Sequence, residues 1–239
     1  GNYPIKKEFP FTPGFDAAGV ILQAGPDIEN FAPGDRVYTA GSLSGAYAEQ
    51  ALCSPDQVRP LPENVGFEEG AALGIPYSTA YRGLFQRGNA APDRWVLIHG
   101  ASGGVGIAAV QFAAAAGAKV IATAGTQQGR QLAKDLGARH ALDHNDPEHM
   151  KEILKITHGV DLVLEMLANV NLQQDMEAMA PGGCIVIIGS RGGIEIDPRY
   201  TMARELDIRG LLVMKADESE ARQISEAIDK GLREGYLKP

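Results

Sequence analysis

His99-Gly-Ala-Ser-Gly-Gly-Val-Gly106 lies between the apolar run Trp95-Val-Leu-Ile98 and a stretch in which Val105, Ala108, Ala109, Phe112 and Ala116 recur at helical spacing. A strand, a glycine-rich turn and a helix in that order open a dinucleotide-binding βαβ unit. Within the turn, Ala101-x-Gly103-x-x-Gly106 is the small-residue form of the fingerprint. Positions without side chains let the backbone approach a diphosphate and let helix pack on strand, and the helix N-terminus adds unpaired N–H groups and partial positive charge. The plain alternative is a tight turn with no ligand; a further strand about 20 residues on favours the nucleotide. Ser102, Gly103, Gly104 and Val105 are the expected contacts. The segment also reads Gly100-x-Ser102-x-Gly104, the nucleophile elbow of hydrolases. That chemistry requires a histidine late in the chain, and the last one, His158, precedes three of the six predicted strands. Hydrolysis is the weaker reading.

Downstream of Trp95, short β-branched or apolar runs alternate with alanine-rich or charged helical stretches, which predicts an α/β, doubly wound parallel sheet. Six strands are expected, over Trp95–His99, Lys119–Ala124, His140–Asp143, Asp161–Glu165, Cys184–Gly189 and Asp207–Met214. Asp146 and Pro147 read as the N-cap and first position of a crossover helix, and residues 218–233 as an amphipathic helix. Residues 1–75 have a different texture. Prolines and glycine turns there separate short apolar runs such as Gly19–Leu22 and Asp35–Tyr38, which predicts a β-rich unit. The expected division is residues 1–75 and residues 76–239, the second opening with a connecting helix.

With 239 residues, 44% hydrophobic and 22% charged, the chain can bury a substantial core. Acidic residues outnumber basic ones by 30 to 22, and the net charge of −8 disfavours nucleic acid and anionic membranes as partners. The two cysteines, Cys53 and Cys184, exclude a disulfide framework and a four-cysteine zinc lobe, and fit a cytoplasmic setting. No apolar run reaches the about 18 residues of a membrane span. The opening Gly1–Lys7 has neither an initiating Met nor an apolar signal core and reads as the start of a fragment.

The coenzyme is read from the end of the second strand, Ala122-Thr-Ala-Gly-Thr126. Folds that prefer NAD place an acid there, which binds the ribose hydroxyls and repels a 2′-phosphate. No acid is present, and Gly125 with Thr126 leaves room and donors, so NADPH is expected over NADH. Arg130, on the next helix, either approaches the phosphate or is an exposed helix charge.

These residues resemble the medium-chain dehydrogenase/reductases, specifically the zeta-crystallin type of NADPH:quinone oxidoreductase. The most specific stretches are Phe11–Val20, Pro33–Val37, Gly74–Tyr81, Gly100–Gly106, Glu165–Asn171 and Gly189–Gly192. The resemblance implies a Rossmann domain behind a partial GroES-like β-rich domain, NADPH in the cleft between them, a cytoplasmic homo-oligomer, and relatives longer at both ends. It adds Gly125 at the adenosine-phosphate loop, His144 beside the 2′-phosphate, and Asn171 as a cofactor contact whose plain role is a helix N-cap. Ile188, Gly189, Ser190 and Arg191 end the fifth strand at the cofactor edge, and Leu211, Leu212 and Val213 line the nicotinamide end. Thr79 resembles a hydroxyl near the nicotinamide.

Zinc enzymes of this superfamily carry Gly-His-Glu-x-x-Gly, where this chain has Gly14-Phe15-Asp16-Ala-Ala-Gly19, so no metal is expected. The implied reaction is NADPH-dependent reduction of a quinone or a conjugated carbonyl. No catalytic acid or base is identified, although Tyr47 and Tyr81 are possible donors. The alternatives are an enoyl or alkenal reductase, and a non-catalytic crystallin or RNA-binding protein that keeps the nucleotide fold; the RNA role is implied by resemblance only.

Overall fold

A computed structural model describes residues 8–239, so the Gly1–Lys7 stretch read above lies outside the described residues. The chain forms two compact units, one ending at Ile75 and including Pro239, the other spanning Pro76–Lys238.

In the first unit, strands β1 (Asp16–Val20), β2 (Arg36–Ala40) and β3 (Val58–Pro60) make an antiparallel sheet in that order, with Ala18 opposite Tyr38. β1 starts before the Gly19–Leu22 run. Its last pairing is Val20 with Arg36, and Ile21 instead bonds the Gly34–Asp35 turn. Helix α1 (Phe67–Gly70) follows, with Glu69 accepting from Gly66 N at 2.7 Å. Helix α2 (Gly74–Tyr81) then runs into a π-helical turn over Arg82–Arg87. The Asp16 carboxylate accepts from Ile75 N at 2.9 Å and so caps α2 from a distant strand.

The second unit is built on six parallel strands: β4 (Trp95–Ile98), β5 (Lys119–Thr123), β6 (His140–Leu142), β7 (Val160–Glu165), β8 (Met179–Ile187) and β9 (Asp207–Gly210). Their order, β6-β5-β4-β7-β8-β9, reverses direction between β4 and β7, so the doubly wound sheet expected from the sequence is present. The crossover helices are α3 (Gly104–Ala115), α4 (Gln127–Asp135), α5 (His149–Thr157), α6 (Ala168–Ala178) and α7 (Arg199–Arg204), and α8 (Glu218–Glu234) closes the chain. Val96, Leu97 and Ile98 are wholly buried because helices cover both faces of a central parallel strand. Small residues Ala108, Ala109 and Ala113 bring α3 close to the sheet, while Leu97, Ile121, Val163, Met176 and Ile185 form the core toward α5 and α6. Among the described residues no helix is long and apolar enough to cross a membrane.

Most of the expected strands shift by one or two residues at an end, and three boundaries differ from the sequence reading for a definite structural reason. β9 stops at Gly210 rather than Met214, because the strand it pairs with, β8, ends at Ile187, whose carbonyl accepts from Leu211 N. β8 begins at Met179 rather than Cys184: Pro181-Gly182 is absorbed as an irregularity between the Val160 and Leu162 pairings, with Gly182 at φ +71°. α5 begins at His149, since Asp146 accepts from Glu148 N at 2.9 Å and closes a local turn before the helix.

Candidate functional site

The candidate site lies at the carboxyl ends of β4, β5, β7 and β8, where the strand order reverses and open α/β sheets bind ligands. Beyond β4 the chain turns at Gly100, φ +57°, with Gly103 N bonded to Gly100 O at 3.0 Å and Ala101 N to Thr123 O at 2.9 Å. Gly103 then takes the extended N-cap conformation of α3. The three glycines do different work. A Cβ on Gly106 would lie 2.4 Å from Gly100 O and 2.5 Å from the Ala101 Cα, so the helix can sit on the turn only without it. Gly103 and Gly104 meet nothing closer than 3.4 Å, and with Ser102 they are exposed. The helix therefore presents backbone N–H groups to open space, a cradle whose geometry and partial positive charge can accept an anion. Val105, half-buried, lies in the first turn of α3.

Beside this cradle, α4 presents a second N-terminus, capped by Thr126 Oγ1, which accepts from Gly129 N at 3.0 Å. Thr126 is thus occupied as a cap, and Gly129 packs against Ser102. Gly125 and His144 are brought together: His144 Nε2 lies 2.7 Å from where a Gly125 Cβ would stand. Asn145 Nδ2 donates to Gly125 O at 3.2 Å and ties the β5 and β6 ends to each other. Arg130 is more than an exposed charge. It donates to Asp143 at 2.7 Å and to Ala124 O at 3.3 Å, which holds a guanidinium at this corner. The Asn145 backbone N–H, with Arg130, holds the Asp143 carboxyl below its ordinary range. No carboxylate follows β5 directly, but this one follows β6.

On the other side of the turn, Met166 packs next to Gly100, and a Cβ on Gly189 would lie 2.4 Å from Met166 O. Ile188 and Gly189 extend past β8, with Ile188 N bonded to Glu165 O at 2.8 Å and Ala168 N to Gly189 O at 2.9 Å. Ser190 and Arg191 are exposed; Arg191 N donates to Asn169 at 2.8 Å and Ser190 Oγ to Gly192 O at 2.9 Å. Asn171 is not an N-cap, because α6 already starts at Ala168; its amide donates to Glu165 at 3.2 Å. Leu211, Leu212 and Val213 are not a buried strand. They follow β9, Leu212 is 52% exposed, and Val213 opens a 3₁₀ turn.

Of the hydroxyl candidates, Thr79 is buried in α2, Tyr47 is exposed, and Tyr81 packs against Phe85 and Phe112 with its phenol pushed up by burial. Asp16, next to Phe15, is raised to about 6 by burial. The sequence reading missed a buried polar group directly below the site. His99 contacts Thr123 at 3.0 Å and Asp175 at 2.9 Å, with Glu165 at 3.7 Å. A histidine ending an apolar strand was the available signal. Its partners come from β5, β7 and α6 and are joined only by the fold.

Residues 104–230 match the zinc-binding dehydrogenase family and residues 1–63 the alcohol dehydrogenase GroES-like domain. Together with the reversed sheet order, these matches define a medium-chain dehydrogenase/reductase. Within that superfamily the chain belongs to the zeta-crystallin-like quinone oxidoreductases. It is 45% identical to the quinone oxidoreductase of Pongo abelii, over 100% of this chain and 73% of that protein. The structure of Escherichia coli quinone oxidoreductase complexed with NADPH is similar at TM-score 0.87 and 26% identity, covering 98% of this chain and 74% of that one. CurK enoyl reductase is similar at TM-score 0.84 and 30% identity, covering 95% and 70%.

Proposed function

We propose that this oxidoreductase reduces quinones with NADPH and without a metal. The observation that carries the reading is the exposed Ser102–Gly104 backbone at the start of a 12-residue helix, beside a strand end with no acid. Gly103, Gly104 and the first turn of α3 would hold the diphosphate, and Gly125, His144 and Arg130 the 2′-phosphate. Asn171, Ile188 to Arg191 and Leu211 to Val213 would border the nicotinamide. The bound coenzyme supplies a hydride. The chain's part is to fix the ring against a planar acceptor and exclude water. Phe15 offers no metal ligand and Asp16 is engaged with Ile75 N, so carbonyl polarisation by zinc has no support at that segment. An electron-poor quinone needs little such assistance.

The same reading makes the protein cytoplasmic, with both cysteines free, and a homo-oligomer, with β9 as an edge strand flanked by exposed Leu212 and Met214. Titration of the chain with NADPH and NADH tests it: NADPH is expected to bind at least about tenfold tighter, a difference of about 1.4 kcal/mol. Equal affinities would reject the 2′-phosphate assignment. The likeness to an enoyl reductase supports a second acceptor class, conjugated carbonyls. Product analysis with a quinone and an enone in parallel separates the two.

A further inference from the structure

His99, Glu165 and Asp175 stand at the ends of β4 and β7 and on α6, and one ring nitrogen and one oxygen of each carboxyl group lie within 4.8 Å of one another. Both carboxylic side chains are wholly buried and the ring is nearly so. Glu165 Oε1 accepts from Leu167 N and from Asn171 Nδ2, the latter at 3.2 Å. Asp175 Oδ1 faces His99 Nε2 at 2.9 Å, and the other ring nitrogen meets Thr123 Oγ1 at 3.0 Å. This leaves Glu165 Oε2 and Asp175 Oδ2, both buried, with no donor. Two ionised carboxylates in that position would be desolvated and mutually repulsive. One hydrogen satisfies both orphan oxygens, because a carboxylic acid donates to a neighbouring carboxylate.

We propose that Glu165 and Asp175 share a single proton against a neutral His99, and that this unit, through Leu167 N at the entry of α6, positions Asn171 for the coenzyme. The positioning half rests on the NADPH reading above. Burial pushes both carboxyls up to about 7 and pushes the imidazole down. The groups facing the pair are His99 from β4, the Thr123 hydroxyl from β5 and Asn171 from α6; among the described residues no lysine or arginine forms an ion pair with it. A neutral ring protonated on Nε2 donates to Asp175 and accepts from Thr123. The same three groups have the donors of a metal site, but the direct 2.9 Å contact between ring and carboxylate leaves no space for an ion between them, and among the described residues no fourth His, Cys, Asp or Glu joins the cluster. Glu165 acts here as a positioning residue. It holds the entry of α6, while Met166 beside it packs against the positions of Gly100 and Gly189 on either side of the site. Loss of the shared proton sets two negative groups against each other and loosens that entry.

The experiment uses the full chain and the variants Glu165→Gln and Glu165→Ala. Dissociation constants for NADPH are measured from pH 6 to 9, unfolding free energies from pH 5 to 8, and metal content by mass spectrometry. The wild type is expected to lose about tenfold in affinity between pH 7 and 9. E165A is expected to bind about tenfold more weakly than the wild type at pH 7. E165Q, whose amide is a permanent donor toward Asp175, is expected to recover most of that loss and to lack the wild-type pH step. The stability difference between wild type and E165Q is expected to fall as pH rises toward about 7 and to level above it, because the folded chain keeps a proton there that the unfolded chain releases near 4.5. A wild-type pH step retained in E165Q, or no rescue relative to E165A, overturns the positioning role. A pH-independent stability difference overturns the shared proton, and so does one equivalent of copurified metal lost in E165Q. If the wild type binds no NADPH at any pH, the cofactor reading and the positioning role fail together, and the stability difference still decides the proton. If E165A does not fold, the comparison of E165Q with the wild type decides both halves.

Discussion

Gly106 and Arg130 show how single residues set the proposed cradle. A methyl group at Gly106 meets the Gly100–Ala101 backbone at 2.4 and 2.5 Å, and backbone cannot rotate away as a side chain can. Gly106→Ala is therefore expected to cost about 1–3 kcal/mol or more, and to abolish NADPH binding by lifting α3 off the turn. Urea unfolding and coenzyme titration read the two effects separately. Arg130 neutralises Asp143 beside Gly125, so Arg130→Ala removes a cation and also frees an anion where the 2′-phosphate is assigned. NADPH affinity is expected to drop about tenfold with NADH affinity nearly unchanged. A parallel fall for both coenzymes would place Arg130 outside the phosphate site. The glycine turn was legible because the roles of its glycines are local to the strand-turn-helix segment. Arg130–Asp143 and the His99 group were not, since each partner is separated in sequence and only the strand order β6-β5-β4-β7 brings them together.

At the scale of elements, α2 is held by a residue of β1 rather than by its own N-cap. Asp16→Ala removes the acceptor for Ile75 N and is expected to cost about 0.5–2 kcal/mol, measured by urea denaturation. The pH dependence at this site is opposite in sign to that of an ordinary salt-bridged aspartate. The folded chain keeps the Asp16 proton to about pH 6, whereas the unfolded chain releases it near 3.8. Folding thus takes up a proton between those values, and the Asp16 contribution declines as pH rises through that window and is constant above it. Asp16→Asn should flatten that slope. The strands themselves were largely readable, because buried parallel strands are continuous apolar runs. Their ends were less so. Where β9 stops depends on how far β8 extends beside it, and where β8 starts depends on an irregularity against β7; both are properties of a neighbour rather than of the local sequence.

At the scale of the molecule, every residue assigned to the coenzyme, from Ser102 to Val213, belongs to the Pro76–Lys238 unit. That unit contains the whole parallel sheet and its own core. Its ends are also tied internally: Gln111 on α3 donates to Tyr77 Oη on α2 at 3.1 Å and to Lys238 O at 3.2 Å near the C-terminus. Cutting the chain before Pro76 shortens α2 and removes its Asp16 cap, worth about 0.5–2 kcal/mol, and leaves the sheet and these ties intact. Residues 76–239 expressed alone are therefore expected to unfold cooperatively and to bind NADPH within about threefold of the full chain, a difference of less than about 1 kcal/mol. Urea denaturation and coenzyme titration of the two proteins side by side provide the comparison. A cooperatively folded 76–239 with no measurable NADPH affinity would mean that the glycine turn and the strand ends are insufficient, and that residues before Pro76 contribute a necessary part of coenzyme binding.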